Sequence, residues 1–455
     1  MTFRKGLTAL GTVLVLATQV VSASAETLGQ ALTSAYNNSG LIEQNRALLR
    51  VADESVAQAV AGLRPVFSWT AQTQSGYGAG QSISFDDWTT SLTLSGQFTV
   101  YDGGLGALAV DVQKENVLGA RAGLKAVEQD VLYRAVQAYT AVQASRQFLS
   151  LRENNVRVLE QELQAAKDRF DVGEVTRTDV SLAEARLAAA RSSLAVARGD
   201  LARATEEYVA AIGSNPGSLS TASVAPLPSG LAAAREYALQ NHPSMVETRH
   251  LVNVSELNVN RADAALVPTV SLSGRLSFDE DFEDSGSISL SASQTFYAGG
   301  AIASGMRQAI AQRDASRSGL LLTTSAVSQN VSNAFSIYDV SRAAVVALEQ
   351  QVEAQELAFE GVREEANAGS RTTLEVLNAE QELLDARASL VSARADAVVA
   401  SYAILSSMGL LTADHLGLNV EEYDVIGHYQ RVSNAPAGIT EQGAALDRIL
   451  EALQK

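Results

Sequence analysis

The sequence predicts a membrane protein of mixed α and β structure, built from two copies of one unit in which a β-hairpin leads into a long helical hairpin. Three observations carry the prediction. Two motifs, Asp171-Val172-Gly173-Glu174-Val175-Thr176-Arg177-Thr178-Asp179 and Asn367-Ala368-Gly369-Ser370-Arg371-Thr372-Thr373-Leu374-Glu375, each interrupt a long alanine-rich helical run. Upstream of each run lies a segment of period-two alternation, apolar on one face and rich in hydroxyls on the other. The chain opens on a secretory signal.

That signal occupies residues 1–25. Arg4 and Lys5 form its charged start, Leu7 to Val21 its apolar stretch and Ala23-Ser24-Ala25 its small-residue cleavage site. The apolar stretch is too short for a spanning helix. Cleavage gives an exported chain beginning at Glu26. Cysteine is absent, which leaves neither a disulfide nor a lipid-modified cysteine available. The net charge of −17 becomes more negative when Arg4 and Lys5 leave. So acidic a chain is a poor nucleic-acid binder. Few aromatics, 5%, and only 7 prolines suit long helices better than several globular cores. After residue 25 the sequence reads as lacking a membrane helix of roughly 18 or more apolar residues. Any membrane crossing is therefore expected through a β-barrel.

The first unit spans residues 26–228. Residues 27–62 read as helical, and Pro65 stops them. A β-hairpin follows at about 64–101. Phe67, Trp69 and Ala71 alternate with Ser68, Thr70 and Gln72. After the loop Gly76-Tyr77-Gly78-Ala79-Gly80, Leu92, Leu94, Phe98 and Val100 alternate with Thr93, Ser95, Gln97 and Thr99. Strands of about ten residues cross a bilayer when tilted. Trp69 and Trp88 suit an interfacial aromatic belt, the alternative being a buried core tryptophan. Tyr101-Asp102-Gly103-Gly104 closes the hairpin, and Gly103 and Gly104 read as a helix start after a strand.

A helical hairpin then fills residues 102–213, with its tip at 171–179. Gly173 reads as the left-handed residue that ends the first helix. Thr176 and Asp179 have the spacing of a capping box that starts the return helix. Along the return helix Val180, Leu187, Leu194, Leu201 and Tyr208 fall seven apart, with Ala183, Ala190, Ala197, Ala204 and Ala211 beside them. A strict seven-residue repeat predicts supercoiled packing, and the alanine stripe lets helices approach closely. Gly213 ends the helix. Asn215-Pro216-Gly217 and Pro226-Leu227-Pro228 form a linker.

The second unit, residues 229–411, repeats this order. Gly369 follows Gly173 by 196 positions, and Tyr297 and Gly409 follow Tyr101 and Gly213 by the same step. Pro268 follows Pro65 by 203, which places the length difference within the β-hairpin, where loops tolerate it. That hairpin lies at about 267–297. Val270, Leu272 and Leu276 alternate with Ser271, Ser273 and Arg275, and Ile288, Leu290, Ala292 and Phe296 with Ser289, Ser291, Ser293 and Thr295. The acidic run Asp279-Glu280-Asp281-Phe282-Glu283-Asp284 turns the chain. Gly299 and Gly300 start the next helical hairpin, 298–409, whose tip at 367–375 holds Gly369 and the capping pair Thr372 and Glu375. Val376, Leu383, Leu390, Ala397 and Ile404 continue the heptads. Residues 412–455 form a C-terminal segment and tail.

Four membrane strands cannot close a barrel, and an open sheet would leave unpaired edges in lipid. The alternation thus requires an oligomer, with eight strands in a dimer or twelve in a trimer. A different class of reading also fits the helices alone: an exported coiled-coil scaffold or adhesin-like structural protein without a pore.

The repeated order of signal, helix pair, hairpin, Tyr-Asp-Gly-Gly, long helix, Gly-Glu-Val-Thr-Arg-Thr-Asp tip and return helix resembles the TolC family of outer-membrane efflux proteins, over the mature chain to about residue 418. The resemblance implies a homotrimer whose four strands per protomer build a 12-stranded barrel in the outer membrane of a Gram-negative bacterium. The barrel would continue as an α-helical tunnel across the periplasm, with residues 412–455 starting as an equatorial segment. It implies an exit duct for an efflux pump or type I secretion system, docked by a periplasmic adaptor and an inner-membrane pump or secretion ATPase. It implies neither an enzyme nor a cofactor, and His242, His250, His415 and His428 lack metal-ligand spacing.

Carried over by position, the resemblance makes Thr178, Asp179 and Arg371 the gate, with Arg371 bonding the Thr178-Asp179 pair of a neighbouring protomer. Asp179 also has the simpler reading of a helix cap. Ala366 stands where the family often has a tyrosine that completes the lock. Glu375 and Asn378 match the two acidic positions of the family's constriction, so one carboxylate ring and one amide ring are expected here.

Overall fold

The computed structural model describes residues 25–75, 88–228, 230–281 and 283–436, together with Ala445 and Arg448. The first half holds α1 (Leu28–Asn38), α2 (Gly40–Ala61), β1 (Val66–Ser75), β2 (Trp88–Tyr101), α3 (Leu105–Asp171) and α4 (Arg177–Ile212). The second holds α5 (Leu231–Asn241), α6 (Pro243–Ala264), β3 (Thr269–Phe278), β4 (Asp284–Ser293), α7 (Ala301–Asn367) and α8 (Thr373–Met408), followed by α9 (Gly427–Val432). The halves match helix for helix. Both long helices have 67 residues and both return helices 36. At 1.5 Å per residue, 67 residues reach roughly 100 Å.

The strands form one antiparallel sheet in the order β1-β2-β3-β4, so the two β-hairpins join through β2 and β3. The register carries each face across all four strands. Trp69 pairs with Leu94, Leu94 with Leu276, and Leu272 with Leu290 on the apolar face. On the other face a hydroxyl ladder links neighbours: Ser68 to Ser95 at 2.8 Å, Thr93 to Ser277 at 3.0 Å, Ser273 to Ser289 at 2.7 Å and Ser271 to Ser291 at 2.9 Å. The apolar face is bare in the protomer. Trp69 is 72% and Ile288 86% exposed, far from the burial a water-soluble core would give them.

Two expectations change here. The alternation through Phe296 predicted a longer last strand, but β4 stops at Ser293 and Phe296 lies outside it, exposed. Its counterpart β2 runs on to Tyr101 because β3 pairs with it there, through Val270. β4 is an edge strand and has no such partner within the protomer. The loop Gly76–Gly80 and Phe282 lie outside the described residues, as does most of the tail. Second, α8 is apolar enough over one window to pass as a membrane helix, contrary to the expectation from its sequence. Half of that window is buried in the protomer, and Ser401, Ile404 and Leu405 are fully enclosed. Its apolarity belongs to a core helix.

The main core sits midway along the molecule, where α1, α3, α4 and α8 meet. Leu32, Leu132, Tyr139, Tyr208, Ile212 and Leu405 are its enclosed centre. Tyr139 donates its hydroxyl at 2.7 Å to the carbonyl oxygen of Glu26 or Ser220. Glu26 itself bridges Leu219 in parallel, which ties the segment before α1 to the stretch that follows α4. Beyond α8 the chain straps back over the helices. The Ala413 amide donates to Glu128 at 2.6 Å, and His428 of α9 meets the buried Asp53 of α2 at 3.0 Å.

Candidate functional site

Each long helical hairpin ends in a turn dictated by three local choices. Gly173 and Gly369 take φ of +82° and +79° just past α3 and α7, a conformation in which a side chain is strained. Thr176 and Thr372 then cap α4 and α8. Each hydroxyl accepts from the backbone of Asp179 or Glu375, whose carboxylate in return accepts from the threonine N–H at 2.9 and 2.8 Å. Both capping boxes stand as the spacing predicted. The helix starts after the strands are built alike. Gly103 and Gly104 take φ of +71° and +87°, and Gly299 and Gly300 +59° and +89°. Gly103 also lies against the turn that follows α6, where any added Cβ would sit 1.9 Å from Val267. In the first copy Asp102, two residues before the glycine N-cap, accepts from the N–H groups of Gly104 and Gly106, and its counterpart Ala298 has no carboxylate to do so.

The charges at the tips are arranged within each hairpin. The Asp179 carboxylate takes the Thr176 hydroxyl at 2.7 Å and the Thr176 N–H, and these bonds hold its pKa below the usual range. Thr178 is exposed in the first turn of α4. Arg371 donates through Nε to Glu365 at 2.7 Å and through Nη1 to Glu375 at 2.8 Å, two carboxylates of its own hairpin. The Thr372 N–H, first, and Arg371, second, pull the Glu375 carboxyl down to about 2. The structure thus brings Arg371 and Glu375 together and leaves Thr178 and Asp179 on the other hairpin. Ala366 is buried at 6% exposure, packed with Phe359, Val376 and Leu383, so a small side chain is needed there for packing.

Above the tips the two hairpins are tied to each other by contacts that the sequence did not announce. Arg186 of α4 donates through Nη2 to Oδ1 of Asn378 on α8 at 3.1 Å. Nearby, Asn155 of α3 donates to Glu380 of α8 at 3.3 Å, with Asn155 4% and Glu380 8% exposed. Desolvation raises the Glu380 pKa against the opposing Asn155 bond. Arg152, Arg186, Leu377 and these two residues line a cavity of about 210 Å³ between the hairpins. Asn378, expected as a bare amide of the constriction, is therefore engaged by an arginine of its own protomer.

The sequence profile of the outer membrane efflux protein family matches residues 31–214 and 234–410, both repeats nearly whole. The chain belongs to that family. Within it, the outer membrane efflux protein BepC of Brucella suis biovar 1 (strain 1330) is 36% identical over 428 residues, 92% of this chain and 93% of the relative. The alkaline protease secretion protein AprF of Pseudomonas aeruginosa is 26% identical over 273 residues, 56% of each chain. Among solved structures, the Campylobacter jejuni CmeC outer membrane channel superposes with a TM-score of 0.76 at 13% identity, covering 90% of this chain and 89% of that one. The open state of the Neisseria gonorrhoeae MtrE outer membrane channel gives 0.73 at 17% identity, covering 85% and 90%. The fold is that of the TolC-type channel-tunnels, with a four-stranded sheet contributed by each chain. As an outer membrane efflux family member the protein lies in the outer membrane and extends into the periplasm. The family is one of transport channels and not of enzymes.

Proposed function

We propose that three copies of this chain form the outer-membrane exit duct of a tripartite efflux pump or type I secretion system, gated at the hairpin tips. One observation carries the reading: a lipid-length sheet that is apolar on one face, hydroxyl-lined on the other and open at both edges. β1 and β4 run in opposite directions, so β1 of one copy continues the antiparallel ladder from β4 of the next. Three copies give twelve strands with no edge left in lipid. The helical part needs the same neighbours. Leu322, Ile337, Val340 and Leu357 of α7 are 59–73% exposed in the protomer, an unpartnered stripe that the next copy covers.

In this assembly the four long helices of each copy build a periplasmic tunnel whose mouth is formed by the tips. Thr178, Asp179 and Arg371 act as the gate, and Glu375 and Asn378 stand at the constriction. Relatives named for protease secretion and for efflux both support an export role. A periplasmic adaptor and an inner-membrane pump or secretion ATPase complete the path, and their pairing decides the cargo. Purification in detergent followed by light scattering is expected to give a trimer, and planar bilayers to show its channels. A water-soluble monomer without conductance overturns the duct and favours an exported coiled-coil scaffold.

A further inference from the structure

Arg275 lies on the hydroxyl face of the sheet, in the row Ser68, Ser95, Arg275, Ser287 that crosses all four strands. The next rows bring Gln97, Ser273 and Ser289 on one side and Thr93, Ser277 and Ser285 on the other. Among the described strand residues, Arg275 and the terminal Asp284 are the charged ones. Arg275 is exposed, and no described carboxylate pairs with it. The acidic groups nearest along β3 are at the turn, four residues on, or about 13 Å at 3.3 Å per residue. They are partly committed there: Asp279 accepts from the N–H groups of Asp281 and Glu283, and Glu280 from that of Thr90. An unpaired guanidinium among hydroxyls is unusual in so acidic a chain, whose net charge is −17.

With the apolar face in lipid, this face lines the barrel lumen. We propose that Arg275 forms a polyanion-binding ring inside the barrel, which holds solutes bearing several phosphate or carboxylate groups on their way out. The inference rests on the three-copy reading, since one chain supplies one guanidinium and the assembly three. An arginine presents a planar fork of donors that fits phosphate and carboxylate, and the adjacent serine hydroxyls add neutral donors around it. A lumen walled by low-dielectric protein and lipid strengthens the attraction over that in bulk water. The duct would then be anionic at the tips, through Glu375, and cationic in the barrel. Cations would be favoured at the inner mouth, and anionic cargo would gain a foothold beyond it.

The test is equilibrium binding of myo-inositol hexakisphosphate to the full-length, detergent-purified assembly at low ionic strength. Saturable binding that falls as salt is added is expected. Arg275→Ser, which extends a row already made of serine, should weaken it by about tenfold or more, the loss of a charge-assisted bond. Arg275→Lys keeps the charge and should retain most of it. In bilayers the same probe should interrupt the current when added on the barrel side of the unmodified protein. No saturable binding, or equal binding in Arg275→Ser, overturns the ring. Light scattering on the same samples reports the assembly separately, so a failure to form trimers is told apart from a failure of the site.

Discussion

Arg186 Nη2 donates to Asn378 Oδ1 at 3.1 Å, and this bond ties the two helical hairpins of one protomer together above their tips. Any widening of the tunnel mouth that slides one hairpin past the other breaks it. An exposed bond of this kind is worth ~0.5–1 kcal/mol per protomer. In the proposed three-copy duct, losing all three such bonds would shift the closed–open balance by roughly tenfold or more. Arg186→Ala is therefore expected to raise the open fraction of single channels in bilayers and to sensitise cells to large antibiotics, with the trimer intact. Arg186→Lys should fall between. A conductance distribution unchanged in Arg186→Ala removes this bond from the gate.

Arg371 is shared by Glu365 and Glu375 within its own hairpin. A gate in which it bonds Asp179 of a neighbour must draw it from these partners, or add the neighbour to them. Arg371→Ser is expected to raise conductance, and Arg371→Glu to raise it more, because it places a third carboxylate beside Glu365 and Glu375. Pairing Arg371→Glu with Asp179→Arg should restore closure in part if the two residues meet between protomers. If Glu365→Gln alone opens the channel as much as Arg371→Ser does, the latch lies within the hairpin and Asp179 serves only as a cap.

What the sequence revealed about the tips follows from locality. Gly173, Gly369 and the two capping boxes are fixed by residues within a few positions, so their spacing suffices. The repeat was legible for a similar reason: Gly-Gly starts and glycine stops punctuate helices of equal length. Arg186–Asn378 and Asn155–Glu380 join residues 192 and 225 positions apart, and no local pattern announces either contact. Glu365 reaches Arg371 across the turn, from the last turn of α7, and no capping or heptad spacing encodes that contact. The early end of β4 depends on the edge of a sheet, and the apolar window of α8 on what covers it; alternation and composition encode neither.

Glu375 carries its charge over an unusually wide pH range. Its pKa is drawn down to about 2 from an ordinary 4.5 by the Thr372 N–H and by Arg371. A depressed carboxyl adds stability to the capped tip that is complete above the unfolded value and is lost as pH falls through the folded one. Block of the channel by trivalent cations from the tip side should therefore persist down to about pH 4 and fade only below that, as the carboxylates protonate. Glu375→Gln should weaken the block at neutral pH. Block that titrates near neutrality, or that survives in Glu375→Gln, places the constriction elsewhere.

Glu380 has the opposite pH dependence. Burial raises its carboxyl above 4.5, while the Asn155 bond opposes the rise. The folded tip then holds more protons than the unfolded chain just above that value, so stability falls as pH rises through this window. Glu380→Gln keeps an oxygen to accept from Asn155 and removes the buried charge. It is expected to raise the melting temperature at about pH 7.5 and to flatten the fall in stability as pH rises above the ordinary carboxylate range. Asn155→Ala leaves the carboxylate enclosed without its donor, and should cost ~1–3 kcal/mol. Thermal scans of the purified assembly, with hydrogen exchange read at peptides of α3 and α8, separate a local change at the hairpins from one in the barrel. If Glu380→Gln instead melts below the parent at about pH 7.5, the charge itself stabilises the contact. Its attraction to Arg387 and Arg363, which also lowers the pKa, would then outweigh burial.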